Sequence, residues 1–180
     1  TSLCTVGKEG SGLTYRGYTI EDLAQNAGFE ETAYMLLYGA LPSVSELEAY
    51  KRRLISFRGL PDSLKAALRL IPKEAHPMDV MRTGCSVLGN LEPELSFDDQ
   101  QDAADRLLAR LPGMITYWYR YSHDGTEITT DTGQDTTAGH FLKMLSGKDP
   151  SDMHKSVMDC SLILYAEHEF NASTFTARVC

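Results

Sequence analysis

The chain has 180 residues, 42% of them hydrophobic and 23% charged, which is enough to bury a core and favours one domain, or one large domain with a flap. Aromatic residues at 9%, with 14 Gly and 7 Pro, exclude collagen-like, proline-rich and low-complexity classes. A formal net charge of −8 gives no basic footprint for nucleic acid, and no apolar run approaches the ~20 residues of a membrane-spanning helix.

Residues 13–20 alternate apolar and polar positions after the turn-forming Gly10, Ser11 and Gly12, which predicts a short strand or hairpin. Thr19 is placed to cap a helix whose first turn carries Glu21 and Asp22 beside the positive end of the dipole, with Ile20, Leu23 and Ala24 at helical spacing. A second helix is expected over residues 30–38, with Ala33, Leu36 and Leu37 inward and Gly39 ending it. Pro42 and Ser43 open a third, amphipathic helix in which Val44, Leu47, Tyr50, Lys51 and Leu54 recur at three- and four-residue steps. A fourth follows Pro61, carries Leu64, Ala67, Leu68 and Ile71, and stops at Pro72; a fifth apolar stretch spans residues 80–88, after His76 and Pro77. Residues 98–111 read as a helix acidic at its start and basic at its end, whereas residues 114–121, beyond Pro112, fit helix or strand. Residues 122–133 are polar and aperiodic, so they are expected to form a surface excursion. Two more helices are expected over residues 137–145 and 151–167, the latter with Val157, Ser161 and Leu164 or Tyr165 on one face. The sum is a mainly α-helical domain with a small N-terminal β element.

Cys4, Cys85, Cys160 and Cys180 are scattered without CxxC pairing, which suits reduced thiols in a cytoplasmic protein rather than disulfides or zinc. Residues 1–12 lack the basic and apolar regions of a secretory signal. HExxH, GxSxG, GxxxxGK[ST] and GxGxxG are all missing, so zinc-hydrolase, serine-hydrolase and nucleotide-loop chemistry have no support, and no metal is expected. Four of the five histidines have plain readings: His76 turns the chain before Pro77, His123 lies in the polar loop, and His140 and His154 sit on helix surfaces or edges. His168 differs, because it falls where one helix ends and another begins, with Asn171, Ser173 or Thr174 available to cap the second. Backbone N–H groups at such a start favour a carboxylate, and an imidazole there can donate to a carbonyl oxygen. From these residues alone, a lone histidine at a helix junction is more often a structural residue than a ligand-binding one.

The string of residues 165–179, which contains His168, Glu169, Asn171, Ala172, Ser173 and Thr174, resembles the substrate-binding segment of the citrate synthase family. Residues 13–23, the stretch from His76 to Gly84, and residues 139–142 resemble that family in the same order. Residues 117–123 and Phe170 bring the closest likeness to its bacterial propionate-pathway members. The resemblance implies a mostly helical homodimer, a large and a smaller mobile domain, and condensation of an acyl-CoA with oxaloacetate followed by thioester hydrolysis, with the CoA thioester as substrate and no metal. It implies an Asp that removes the α-proton, a His that stabilises the enol and a second His that assists attack on the keto carbon. His168 and Asn171 match the family's oxaloacetate-binding His and Asn. Arg53 is a further candidate to face substrate, although a solvated helix face is the reading its position favours. The family's GPxHGG-like and GHPxY-like motifs, which carry its catalytic histidines, do not occur here. The chain is accordingly expected to be the N-terminal part of the large domain, residues 1–180, lacking the small domain and the C-terminal part and inactive by itself. Propionyl-CoA is the expected acyl donor; acetyl-CoA, or a non-catalytic helical module that binds a dicarboxylate or dimerises, are the alternatives.

Overall fold

The N-terminal β element is a three-stranded antiparallel sheet in the computed structural model, which describes residues 2–7 and 12–180. Its strands are β1 (Cys4–Val6), β2 (Leu13–Tyr15) and β3 (Tyr18–Thr19), in the order β1-β2-β3, with Cys4 opposite Tyr15 and Tyr15 opposite Tyr18. The turn expected at Gly10 and Ser11 lies outside the described residues. Arg16 and Gly17 form the two-residue β2–β3 connection with φ of 46° and 92°, the double left-handed geometry that matches the twist of flanking strands. Strand β1 is not foreseen by the sequence reading, because three residues are too few to show alternation.

The helices follow as α1 (Ile20–Asn26), α2 (Phe29–Tyr38), α3 (Val44–Phe57), α4 (Asp62–Arg69), α5 (Pro77–Leu91), α6 (Gln100–Asp124), α7 (Thr137–Ser146), α8 (Asp152–Leu164) and α9 (Ala172–Val179), with one 3-10 turn at Phe97–Asp99. The chain forms two compact units, Thr1–Tyr50 with Ser156–Cys180, and Lys51–Lys155.

In the first unit Thr19 caps α1 as expected, its hydroxyl accepting from the Asp22 N–H at 3.2 Å. Gly28 N–H donates to Glu31 at 2.7 Å and Phe29 N–H to Asp159 of α8 at 3.0 Å, which satisfies two otherwise orphan donors at the start of α2. The buried residues of α2 are Phe29, Glu30, Thr32, Ala33 and Met35; Leu37, expected inward, is exposed, because the phase of the helix is set by packing. Val44 is exposed as well, since it is the first residue of α3 and lies beyond the buried Tyr50, which meets Tyr34 and Tyr38 edge-on. Helix α8 ends at Leu164, and Val157, Leu164 and Tyr165 are exposed while Ile163 is buried.

In the second unit α6 packs on α4, α5 and α7, around a core of Leu60, Leu64, Leu68, Val80, Leu88, Met114, Tyr117 and Trp118. Gly84 permits a close α5–α6 contact, since a Cβ there would stand 2.7 Å from the Met114 sulfur. Helix α6 corrects the expected break at Pro112, running through it for 25 residues. The ring forfeits one backbone bond, but burial of Met114, Tyr117 and Trp118 on the core outweighs that loss, and the Thr116 hydroxyl donates to the Pro112 carbonyl at 2.6 Å. His123 therefore lies in the last turn of α6, stacked on Tyr119, rather than in a loop. The expected surface excursion holds for most of residues 125–133, which are exposed and outside any helix, but Thr130 and Thr132 are buried and Ile128 packs on the core. His76 caps α5, its Nδ1 accepting from the Met78 N–H at 3.2 Å.

His140 is the larger correction. Expected at a surface or edge, it is 1% exposed, with Nδ1 2.8 Å from the Thr132 hydroxyl and Nε2 buried without a partner among the described residues. Burial, aided by the Arg58 charge, pushes its pKa down to about 3.

Candidate functional site

The segment that carries His168 is built between two helix ends. At the first, the buried Tyr15 hydroxyl stands 3.1 Å from the Ile163 carbonyl and 3.3 Å from that of Leu164, and accepts the Glu167 N–H at 3.3 Å. At the second, Asn171 caps α9, its Oδ1 accepting the Thr174 N–H at 2.7 Å. That bond fixes the orientation of the Asn171 amide and leaves the Nδ2 donors for a ligand. Between the two ends Glu169 has φ of 62°, in the left-handed region that glycine favours.

These residues enclose a cavity of about 530 Å³ lined by Ser2, Leu3, Tyr165, Ala166, Glu167, His168, Glu169, Phe170, Asn171, Thr174 and Arg178. His168 and Asn171 are thus brought to one site. Arg178, which sequence reasoning did not single out, lines it as well, its guanidinium 5.5 Å from the Phe170 ring centre and in no ion pair among the described residues. The signal was present: Asn171, Thr174 and Arg178 are spaced i, i+3 and i+7, one face of a helix. The arrangement offers an imidazole, a primary amide and a guanidinium, a donor set suited to a carbonyl flanked by carboxylates.

Arg53 does not line this cavity. Its Nε donates to Asp105 at 2.8 Å and its Nη2 to Asp102 at 2.6 Å, with the guanidinium 5.0 Å from the Phe57 ring centre. Asp105 is fully buried and Arg53 about 39% exposed. Replacing Arg53 by Met would leave the buried carboxylate short of its cation. A loss of about 2 kcal/mol is expected after discounting for solvent screening at the half-exposed guanidinium, read from denaturant midpoints at unchanged m. A loss below about 0.5 kcal/mol would show that the pair contributes nothing beyond its contacts.

All four cysteines are thiols outside any disulfide, and burial pushes those of Cys4 and Cys85 up. Among the described residues no three His, Cys, Asp or Glu side chains gather as a metal site, and no helix is long and apolar enough to cross a membrane.

A sequence profile of the family described as citrate synthase, C-terminal domain, matches residues 1–180. The chain belongs to the citrate synthase family. It is 64% identical over 180 residues to the 2-methylcitrate synthase of Shewanella oneidensis, a match covering all of this chain and 48% of that protein. The 2-methylcitrate synthase 2 of Corynebacterium glutamicum is 40% identical over 187 residues, covering 99% of this chain and 49% of that protein. The citrate synthase of Thermoplasma acidophilum, solved as a ternary complex with carboxymethyl coenzyme A and oxaloacetate, superposes with a TM-score of 0.89 at 29% identity, over 97% of this chain and 46% of that one. This chain spans about half the length of the curated relatives it matches.

Proposed function

We propose that the whole protein condenses propionyl-CoA with oxaloacetate and hydrolyses the thioester to give 2-methylcitrate and CoA. The observation that carries this reading is the meeting of His168, Asn171 and Arg178 at one cavity, in a chain 64% identical to a protein named 2-methylcitrate synthase. In this reading the segment holds oxaloacetate: the His168 imidazole donates to the keto oxygen, the Asn171 amide donates beside it, and Arg178 pairs with a carboxylate. As the acyl carbanion equivalent attacks the keto carbon, negative charge grows on that oxygen, so a donor held there strengthens in the transition state. Thr174, on the same face of α9 and in the wall of the cavity, narrows the space beside the amide.

Glu167 and Glu169 line the same cavity and oppose a dianion, so the reading draws further cationic groups, and the acid–base groups of the family resemblance, from parts of the protein outside this chain. The 180 residues alone are proposed to be the N-terminal part of the large domain and inactive. The thioester enters as substrate, and the proposed chemistry asks for donors and a carboxylate base rather than a metal. Arg53 serves here to hold α3 to α6, because an anion would have to displace Asp102 and Asp105 from it. The working form proposed is a cytoplasmic homodimer; the exposed apolar residues Met153, Val157 and Leu164, on one face of α8, suit such an assembly.

The test is thiol release from propionyl-CoA and from acetyl-CoA, each with oxaloacetate, by the protein at its full natural length. A kcat/KM at least about tenfold higher for propionyl-CoA is expected, the range that one methylene in an apolar pocket provides. The reverse preference would make the protein an acetyl-CoA-dependent citrate synthase. Turnover with neither donor would leave at most a dicarboxylate-binding module.

A further inference from the structure

Cys4 and Tyr15 stand directly opposite each other across β1 and β2, and both are buried, at 2% and 0% exposure. Directly paired residues of an antiparallel sheet share one face, so these side chains form a two-point platform. The Tyr15 hydroxyl accepts the backbone N–H of Glu167, and the Cys4 sulfur accepts the backbone N–H of Glu169. The two N–H groups lie one residue before and one residue after His168. Tyr15 also reaches the carbonyls of Ile163 and Leu164, which ties the last turn of α8 to the same platform. Glu169 keeps a left-handed backbone, φ 62°, which a residue with a Cβ holds when its surroundings enforce it. Nothing in the length of the loop demands this: residues 165–171 connect α8 and α9 with seven residues between them, enough for many unstrained paths.

We infer that Cys4 and Tyr15 are positioning residues for His168: the small sheet grips the backbone on both sides of it and thereby sets where its imidazole enters the cavity. The inference rests on the proposed role of His168 toward oxaloacetate. It also gives the N-terminal sheet a task other than packing, because neither side chain lines the cavity itself. Each acts through a backbone bond, so its removal is felt by substrate only while His168 is present.

The experiment is a double-mutant cycle in the protein at its full natural length, reading kcat/KM for oxaloacetate and KM for the acyl-CoA. Tyr15→Phe keeps the buried ring and removes only the hydroxyl. It is expected to lower kcat/KM for oxaloacetate about tenfold, with KM for the acyl-CoA within about twofold, as for loss of well-placed buried hydrogen bonds. In a His168→Ala background the same substitution is expected to change kcat/KM by less than about twofold, since its effect passes through the missing imidazole. Cys4→Ala is expected to lower kcat/KM about threefold, and Cys4→Ser, which restores an acceptor, to recover most of it. Should Tyr15→Phe fail to fold, the Cys4→Ala and Cys4→Ser pair gives the same comparison. An equal loss in both backgrounds, or none in the wild-type background while His168→Ala is itself impaired, overturns the positioning role and leaves the substrate reading standing. A His168→Ala protein with unchanged kcat/KM removes that reading, and the positioning role with it.

Discussion

Replacing His168 by Ala in the protein at its full natural length is expected to lower kcat/KM for oxaloacetate by about 10²–10³-fold, the usual effect of deleting one donor to a developing oxyanion. The expectation follows from where charge appears. The keto oxygen of bound oxaloacetate is a weak acceptor, whereas the alkoxide it becomes on attack is a strong one, so an imidazole N–H aimed at it counts most in the transition state. The loss is therefore expected mainly in kcat. Arg178 supplies the contrast: a carboxylate of oxaloacetate carries the same charge before and after attack, so Arg178→Met is expected to raise KM about tenfold with kcat nearly unchanged. The two residues line one cavity, His168 from the loop between α8 and α9 and Arg178 from two turns along α9, so the same kinetic series separates a donor to the reacting oxygen from a carboxylate anchor. If His168→Ala stays within about threefold of the parent, the imidazole is a structural residue at a helix junction. If Arg178→Met lowers kcat instead, the guanidinium acts on the developing charge rather than as an anchor.

Local signals made the fold largely legible, whereas the candidate site was read mainly from the family resemblance. Thr19, His76 and Asn171 cap their helices because each leaves a side-chain acceptor beside orphan N–H groups, a relation written in neighbouring residues. Where the reading failed, distant burial decided. Pro112 is a valid stop signal by itself, but it lies between Ala109 and Met114 on the core face of a helix whose other face is already charged, and no local rule weighs that. His140 looked like an edge residue because its neighbours, Thr137, Gly139 and Lys143, are small or polar; packing of the segment that carries Thr130 and Thr132 is what covers it. The grip of Cys4 and Tyr15 on the His168 loop spans some 150 positions, from Tyr15 to Glu167. One sequence carries no trace of such a bond. Arg178 is the intermediate case, visible in the spacing once Asn171 is taken as the start of a helix.

The burial of His140 has a consequence that pH will expose. Its ordinary pKa of 6.5 applies to the unfolded chain, whereas in the folded protein burial and the nearby Arg58 charge hold it at about 3. Between these values the unfolded state binds a proton that the folded state refuses, so acid draws the equilibrium toward unfolding. The sign is that of a depressed folded pKa: stability is complete above pH 6.5 and falls as pH drops toward 3. The slope is about 1.4 kcal/mol per pH unit at its steepest, or roughly 5 kcal/mol over the whole window, against a domain stability of about 5–15 kcal/mol. Carboxylates such as Asp149, held below its ordinary pKa by Lys143, add their own loss at lower pH, so the histidine must be isolated by comparison. His140→Gln puts a polar, non-titrating side chain in the same space beside the Thr132 hydroxyl. At pH 7 the variant is expected to be less stable by about 1–2 kcal/mol, because the fit of the ring is lost. Between pH 6 and pH 4 the difference should shrink and then reverse, since the variant carries no proton debt at that position. Urea midpoints taken at half-unit steps of pH would follow it. Parallel curves for the two proteins would mean that His140 takes up its proton in the folded state near the ordinary value, and that the cover provided by Thr130 and Thr132 opens far more readily than its burial implies.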